Sequence, residues 1–374
     1  VNSTIRFELI QSTQALQKLA PHWDQLLDQS TVRTPFMRWD WVSLWWQQFH
    51  HDHQLAIGTV WDHDHQLLGL APLVIGPGPS PARKNLRHLS FISGIGEVVS
   101  EGFDLICRPG AEALLTPLLD YVLHTLRDCW DTALFGFMEP LSPFYPILQQ
   151  ALDRHTHQVE ETNTQFSPII RFPHRDWATY LNQRSPSFRK KYKGLVRNSS
   201  ASYQVTYHQS TSTAEATQNL DTLLQLHAQR WTTEQSLFLQ PRTRAFHQQL
   251  ASRWCPANRA ALLVLTFDNR PVAANYAFVE GQTLWDYQGG WCLDDIDHSP
   301  AKLIMAENLR WAMAQGLTEC DMLPGDLTYK AKWTAEQRTV VDLVADNPAS
   351  LRIKIFQSIR AIKKTFTSIV HSLT

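Results

Sequence analysis

No run of the 374 residues approaches the ~20 continuous apolar positions that a membrane-spanning helix needs. The opening segment Val1–Leu9 is too polar for a secretory signal, so a cytoplasmic location is expected. Cysteine is sparse: Cys107, Cys129, Cys255, Cys292 and Cys320 are odd in number, scattered, and form no Cys-x-x-Cys pair. That spacing argues for reduced thiols and against a disulfide frame or a zinc site. Net charge is nearly absent, at −1, which implies no global attraction to nucleic acid or to an acidic membrane, and no DNA partner is expected. Any basic site must be local. What is present, 43% hydrophobic and 18% charged residues over a length sufficient for two domains, is the composition of a folded protein.

An internal echo organises the chain. Leu55–Gly76 aligns with Ala261–Gly281 as strand, polar turn, strand, and each copy leads on to a further strand region, a helix and another strand. The later pieces are Glu112–Leu126 and Thr132–Phe137 in the first copy, Pro300–Gln315 and Thr318–Leu323 in the second. Two copies of one α/β unit are therefore expected. The Pro-rich stretches Pro140–Pro146 and Pro168–Asp176 bracket the transition, giving domains at residues 1–160 and 161–347 and a basic amphipathic tail at 348–374.

Asn269–Trp333 is the most informative segment. Val272–Phe278 and Leu284–Gly290 flank Glu280-Gly281-Gln282, which is a hairpin signal. Ser299 at the cap, Pro300 in the first helical position and Gly316 past the end mark a helix, and its N-terminus attracts anions such as a pyrophosphate. A strand carrying Asp321 follows, then Pro324-Gly325-Asp326 and a polar loop with Tyr329, Lys330 and Trp333.

The string Ser299-Pro300-Ala301-Lys302-Leu303, with Gly316, Asp321, Gly325, Asp326, Tyr329-Lys330 and Trp333, resembles the carboxy-terminal signature of the CelD/BcsL-type acetyltransferases. These are a branch of the GNAT superfamily associated with cellulose and other exopolysaccharide synthesis, and related to Fem-type transferases that use aminoacyl-tRNA. Collinear resemblance extends through Leu226-His227, Arg230-Trp231, Ser187–Lys191 and Leu70–Val74 to Thr34-Pro35-Phe36 and the tryptophans at 39, 41, 45 and 46. It implies an α/β fold of tandem GNAT-like (acyl-CoA N-acyltransferase) domains with mixed central sheets, the first a scaffold or acceptor groove and the second catalytic. It further implies acetyl-CoA or another acyl-CoA as co-substrate, without a metal, held at Gln288, Ser299, Ala301, Lys302 and Leu303. The acceptor implied is an amine or hydroxyl of a sugar or cell-envelope glycan precursor. A Fem-like transfer from aminoacyl-tRNA and a non-catalytic assembly factor for glycan synthesis are the alternatives. The chain departs from the pattern at Ala301, where the family usually has Gly, and it lacks the Gln/Arg-x-x-Gly-x-Gly/Ala pyrophosphate loop.

Amine attack on a thioester needs a base, a polarising N–H and an acid near the departing sulfur. Asp321 suits the base or the binding of an acceptor ammonium, and Tyr329 suits the acid. Lys330 joins them, or pairs with Asp321 or Asp326 to fix the loop. Acceptor contacts are assigned to Arg189 and Lys190, in a basic cluster with Lys191, Lys193 and Arg197, with Tyr192 available to stack; a solvated helix face reads the same cluster equally well. His227, Arg230 and Trp231, within about one helical turn, and Asp326 complete the acceptor group, although His227 can equally border a core stripe. His50-His51-Asp52-His53 and Asp62-His63-Asp64-His65 lack metal-ligand spacing and read as surface turns. Trp39, Trp41, Trp45 and Trp46 line either a sugar-binding wall or an ordinary core. In the tail, Ile355, Ile359, Ile362, Phe366, Ile369 and Leu373 recur at spacings of three and four, opposite most of Arg352, Lys354, Arg360, Lys363 and Lys364. Such a helix rests on an anionic leaflet or docks on its own protein or a partner, and docking is the preferred expectation.

Overall fold

The computed structural model describes residues 5–359 except 79–82, 84, 95, 97 and 99. The chain divides into two compact units, Val1–Thr164 with Val340–Thr374, and Gln165–Thr339.

In the first unit, β1 (Arg6–Ile10), α1 (Thr13–Lys18), α2 (Ala20–Gln29) and α3 (Trp39–Phe49) precede the strands β2 (Gln54–Leu55), β3 (Ile57–Trp61), β4 (Leu67–Ala71), β5 (Leu73–Pro77), β6 (Arg87–Phe91) and β7 (Ile106–Cys107). Then come α4 (Leu115–Thr125), β8 (Thr132–Met138) and α5 (Tyr145–His155). One antiparallel sheet runs β1-β3-β4-β7. In the other, β2 pairs β5 and β5 pairs β6 antiparallel, while β6 and β8 are parallel with α4 between them in sequence. The segment 67–77 is split at Pro72, which has no N–H to give to a ladder, so β4 and β5 enter different sheets. Three tryptophans of α3 are core and Trp39 is half-buried: Trp41 and Trp45 are fully buried, Trp46 nearly so, and Trp41 Nε1 donates to Ser93 Oγ at 2.9 Å.

The second unit takes the end of β9 (Val159–Arg171), then α6 (Trp177–Asn182), α7 (Pro186–Ser202), β10 (Val205–Gln209), α8 (Thr213–Ala228), α9 (Pro241–Trp254), β11 (Ala260–Phe267), β12 (Arg270–Glu280), β13 (Thr283–Trp291), α10 (Pro300–Ala314), β14 (Glu319–Asp321) and α11 (Leu327–Lys330). Its strand order is β10-β11-β12-β13-β14-β9, antiparallel except for the β13–β14 pair. The β12–β13 turn centres on Gly281 at φ +60, a backbone state that glycine adopts without steric cost. Successive side chains of β12 serve opposite faces. Asn275 meets Asn308 of α10, whereas Tyr276 and Phe278 pack on His247 and Trp254 of α9. Helix α8 crosses β13 at Gly290, where a Cβ would stand 2.7 Å from the His227 backbone nitrogen and 3.0 Å from the Leu223 carbonyl oxygen.

Two expectations need adjustment. The second unit ends at Thr339, so the later residues of β15 (Gln337–Asp346), placed by sequence in a domain running to 347, belong to the first unit, where Val341–Asp346 pair with β8. Internal docking of the tail's apolar stripe is not what residues 351–359 do. They are helical, but the side that packs carries Ile353, 2% exposed, while Leu351, Ile355 and Ile359 are 70%, 52% and 50% exposed. Ile362, Phe366, Ile369 and Leu373 lie outside the described residues.

Candidate active site

The second unit contains a parallel strand pair that opens. Only Thr283–Trp285 of β13 pair with Glu319–Asp321 of β14; the remaining six of the nine β13 residues continue past the end of β14. Parallel neighbours require a crossover, here α10, so the helix starts at the end of the sheet where the two strands part. Ligands of open α/β sheets settle at such carboxyl ends. A register shift between Tyr276 and Ala277 leaves Tyr287 as an extra residue on β13, a bulge flanked by Asp286 and Gln288.

At the start of α10 the geometry differs from the expected cap. Ser299 is the N-cap residue, but it adopts a left-handed backbone (φ 42, ψ 57) and its side chain makes no capping bond. Pro300 fills the first helical position, and the Ser299 carbonyl accepts from Lys302 N at 2.9 Å and Leu303 N at 3.3 Å. The Lys302 ammonium is pushed below its ordinary value by burial and by the positive charges of Lys332 and Lys191. Three converging cations at a helix N-terminus repel one another, and a bound anion relieves that repulsion.

The loop after β14 is built around two saturated groups. Asp321 is 2% exposed, and its carboxylate accepts from Arg338 Nε at 2.5 Å, from Leu323 N at 2.8 Å and from the Ser167 hydroxyl. Lys330 Nζ donates to the carbonyls of Met322 and Leu323, both at 2.7 Å, and of Pro324 at 3.0 Å. Lys330 therefore fixes the loop through three main-chain carbonyls, and Asp321 pairs with Arg338. Leu323 sits at φ 57, a strained state for a branched residue that these bonds hold in place. Asp326 caps α11 by accepting from Thr328 N at 2.9 Å. Tyr329 is half-buried, and its phenol is raised well above the ordinary range by burial and by Asp286, so it keeps its proton.

Asp286 is the residue that sequence reasoning missed. It lies on β13 one residue past the last pair with β14. Its carboxyl is raised by burial and by the charge of Asp321, against the Asn275 hydrogen bond and Lys330, which lower it. Asn275 Nδ2 donates to Asp286 Oδ1 at 2.7 Å, and Asn308 Nδ2 donates to Asn275 Oδ1 at 2.7 Å. A signal existed in the sequence: Trp285-Asp286-Tyr287 puts a carboxylate inside an otherwise apolar and aromatic strand, where aspartate is disfavoured.

Of the residues assigned to the acceptor, several have other partners. Arg189 Nη1 donates to the carbonyls of Asn182 at 2.7 Å and Arg184 at 2.9 Å, tying α7 to the end of α6. Tyr192 is 8% exposed and packs on Trp177 with centroids 5.4 Å apart, so it is not free to stack on a base. Lys190 and Lys191 are exposed. His227 is 5% exposed, with Nδ1 3.0 Å from the Gly289 carbonyl and Nε2 2.9 Å from Ser236 Oγ. Nδ1 can only donate to that carbonyl, so Nε2 accepts from Ser236; burial lowers its pKa and the ring is neutral. It ties α8 to β13 and offers no free nitrogen for a base. Arg230 stacks over Trp231 at 5.2 Å and Trp291 at 4.8 Å, at the far end of β13. Among the described residues no group of three His, Cys, Asp or Glu side chains converges, and no helix is long and apolar enough to cross a membrane.

Residues 186–331 match the family model described as an acetyltransferase (GNAT) domain, the stretch that contains the open strand pair, α10 and the Lys330 loop. The chain has a mixed α/β fold in two units, and the GNAT-domain match falls in the second. Structures similar over nearly full length include FemX, at TM-score 0.57 and 11% identity, with 94% of this chain and 99% of that one covered. A conserved protein of unknown function from Bacteroides thetaiotaomicron VPI-5482 superposes at TM-score 0.55 and 12% identity, covering 92% and 100%. L-PGS from Bacillus licheniformis does so at TM-score 0.51 and 12% identity, covering 93% and 96%. No curated protein matches the sequence significantly.

Proposed function

We propose that the second unit transfers an acyl group from acyl-CoA, acetyl-CoA first among them, to an amine or hydroxyl of a sugar or glycan precursor, as the CelD/BcsL resemblance implies. The observation that carries this reading is the parallel β13–β14 pair opening beside the α10 N-terminus, with Lys191, Lys302 and Lys332 gathered there. The cations, which already repel one another, fit a pyrophosphate together with the positive end of the α10 dipole, the Lys302 and Leu303 N–H groups being bonded to the Ser299 carbonyl. Gln288, Ser299, Ala301, Lys302 and Leu303 would hold the coenzyme, whose thioester supplies the activated acyl carbonyl.

The chain's own groups divide the remaining work. Asp286, its carboxyl raised above the ordinary value by burial, accepts the proton lost by the acceptor nucleophile, directly or through one water. Tyr329, still protonated, donates to the departing sulfur. Asp321 and Lys330 act as positioning residues that hold the loop bearing Tyr329. Arg230, stacked between two tryptophans, offers its donors to a carboxylate or phosphate of the acceptor. Lys190, Lys191, Lys193 and Arg197 on α7 support the Fem-like alternative, in which a tRNA acceptor end lies along that helix.

Calorimetric titration with acetyl-CoA tests the main reading. Saturable binding is expected and should be abolished by Ala301→Glu, which brings a carboxylate to the anion site. Equal affinity in Ala301→Glu, or no binding to the parent protein, excludes it.

A further inference from the structure

We infer that the helix at residues 351–359 is a docking surface for an anionic lipid bilayer. Its root is pinned to the first unit. Asn347 Nδ2 donates to the carbonyls of Arg127 at 2.7 Å and Trp130 at 2.8 Å, and Ser350 Oγ donates to Asp131 at 2.6 Å while accepting from Ile353 N at 3.2 Å. Ile353 is buried, Gln357 donates to Asp346 Oδ2 at 2.9 Å, and Arg83 stacks 5.5 Å over the Phe356 ring. These contacts fix the rotation of the helix. With the Ile353 side turned inward, Leu351, Ile355 and Ile359, four residues apart, form an exposed apolar line.

The sequence continues that spacing at Ile362, Phe366, Ile369 and Leu373, and it changes character in charge at the same place. From Asn347 to the last residue there is no aspartate or glutamate, against Arg352, Lys354, Arg360, Lys363 and Lys364, in a chain whose net charge is −1. Of Arg352 and Lys354, the two of these cations among the described residues, Arg352 pairs with Asp131 at 3.8 Å. An apolar stripe bordered by cations with no anions is complementary to acyl chains beneath acidic headgroups. A second copy of the chain would bring its own exposed Arg352 and Lys354 against this pair, so self-association through this face is opposed by charge. The bilayer is the occupant that satisfies both the stripe and its border.

The test is flotation of the full chain with vesicles of mixed phosphatidylglycerol and phosphatidylcholine, read beside vesicles of phosphatidylcholine alone. Flotation with the anionic vesicles only, lost on raising salt, is expected. Ile355→Glu with Ile359→Glu should lower partitioning on the order of 100-fold, since two apolar side chains no longer enter the lipid. Both positions are half-exposed, so the melting temperature should not change. Lys363→Glu with Lys364→Glu should weaken binding to anionic vesicles while leaving the stripe intact. No flotation, flotation equal in the isoleucine variant, or a dimer in light scattering that this variant dissolves would each overturn the inference. The readout involves no acyl transfer, so its failure leaves the proposed activity untouched, and the reverse.

Discussion

Asn275 holds Asp286 across the β12–β13 ladder, its amide 2.7 Å from Oδ1, and is itself held by Asn308 of the crossover helix at the same distance. The carboxylate is thereby aimed from a rigid sheet, and the amide bond opposes part of the rise in pKa that burial causes. A carboxylate positioned in this way is fixed by second contacts that themselves cannot titrate.

Asp286→Asn should lower turnover by about 10²- to 10⁴-fold, the range for removing a general base, with a thermal midpoint close to the parent's. Because the folded pKa is raised, the working carboxylate is lost at higher pH than an ordinary aspartate would be, so the acid limb of the rate profile should lie above the usual carboxylate range. Asn275→Leu, which removes the stabilising amide, should move that limb further up. Stopped acyl transfer across pH reads both.

Asp321→Asn should act on stability more than on chemistry. Breaking a buried pair leaves Arg338 uncompensated, at a cost of about 3–5 kcal/mol. Arg338 and Asp321 side chains are 12% and 3% exposed, so little of this is returned by water. Denaturant unfolding should show the loss, and Arg338→Met in the same molecule should recover part of it. Full stability with a large loss of turnover would restore Asp321 to a direct role.

Gly290→Ala places a methyl against the backbone of α8, where neither neighbour is the end of a flexible side chain. Overpacking of this kind costs about 1–3 kcal/mol. Urea unfolding should report that loss, with His227 and Gly289 pushed apart.

In the first unit, Asp104 is buried and raised to about 7, chiefly by burial, with Ser142 and Leu105 N as partners. The sign follows directly: a carboxyl whose folded pKa exceeds its unfolded one stabilises fully below about pH 4, and that contribution is lost as pH rises through about 7. Between those limits the loss approaches ~1.4 kcal/mol per pH unit. Asp104→Asn should remove this component from the slope of stability against pH, measured by unfolding at pH 4 to 8.

Strand and helix order was legible because apolar period, Gly281 and the Ser-Pro helix start are local signals, and the echo between 55–76 and 261–281 corresponds to the β3–β4 and β11–β12 hairpins. Partnership was not. Whether Lys330 meets Asp321 or three carbonyls depends on the path of a loop that turns through Leu323 at positive φ, which no spacing rule encodes. Arg189 was read as a ligand group because a cationic run on a helix looks the same whether its members face solvent or bind the preceding helix. Asp286 was passed over because its importance comes from where β14 stops. The exposed line of Leu351, Ile355 and Ile359 was present as a pattern, but only the burial of Ile353 decides which side of that helix looks outward.

The early end of β14 also sets a length scale. Residues 286–291 of β13 stay on the ladder with β12 but have no β14 beside them, and at about 3.3 Å each they leave an edge of roughly 20 Å open to a ligand. Discrimination among acyl donors would then be written into the number of residues in one strand, and lengthening or shortening it would retune reach without altering a single reactive side chain.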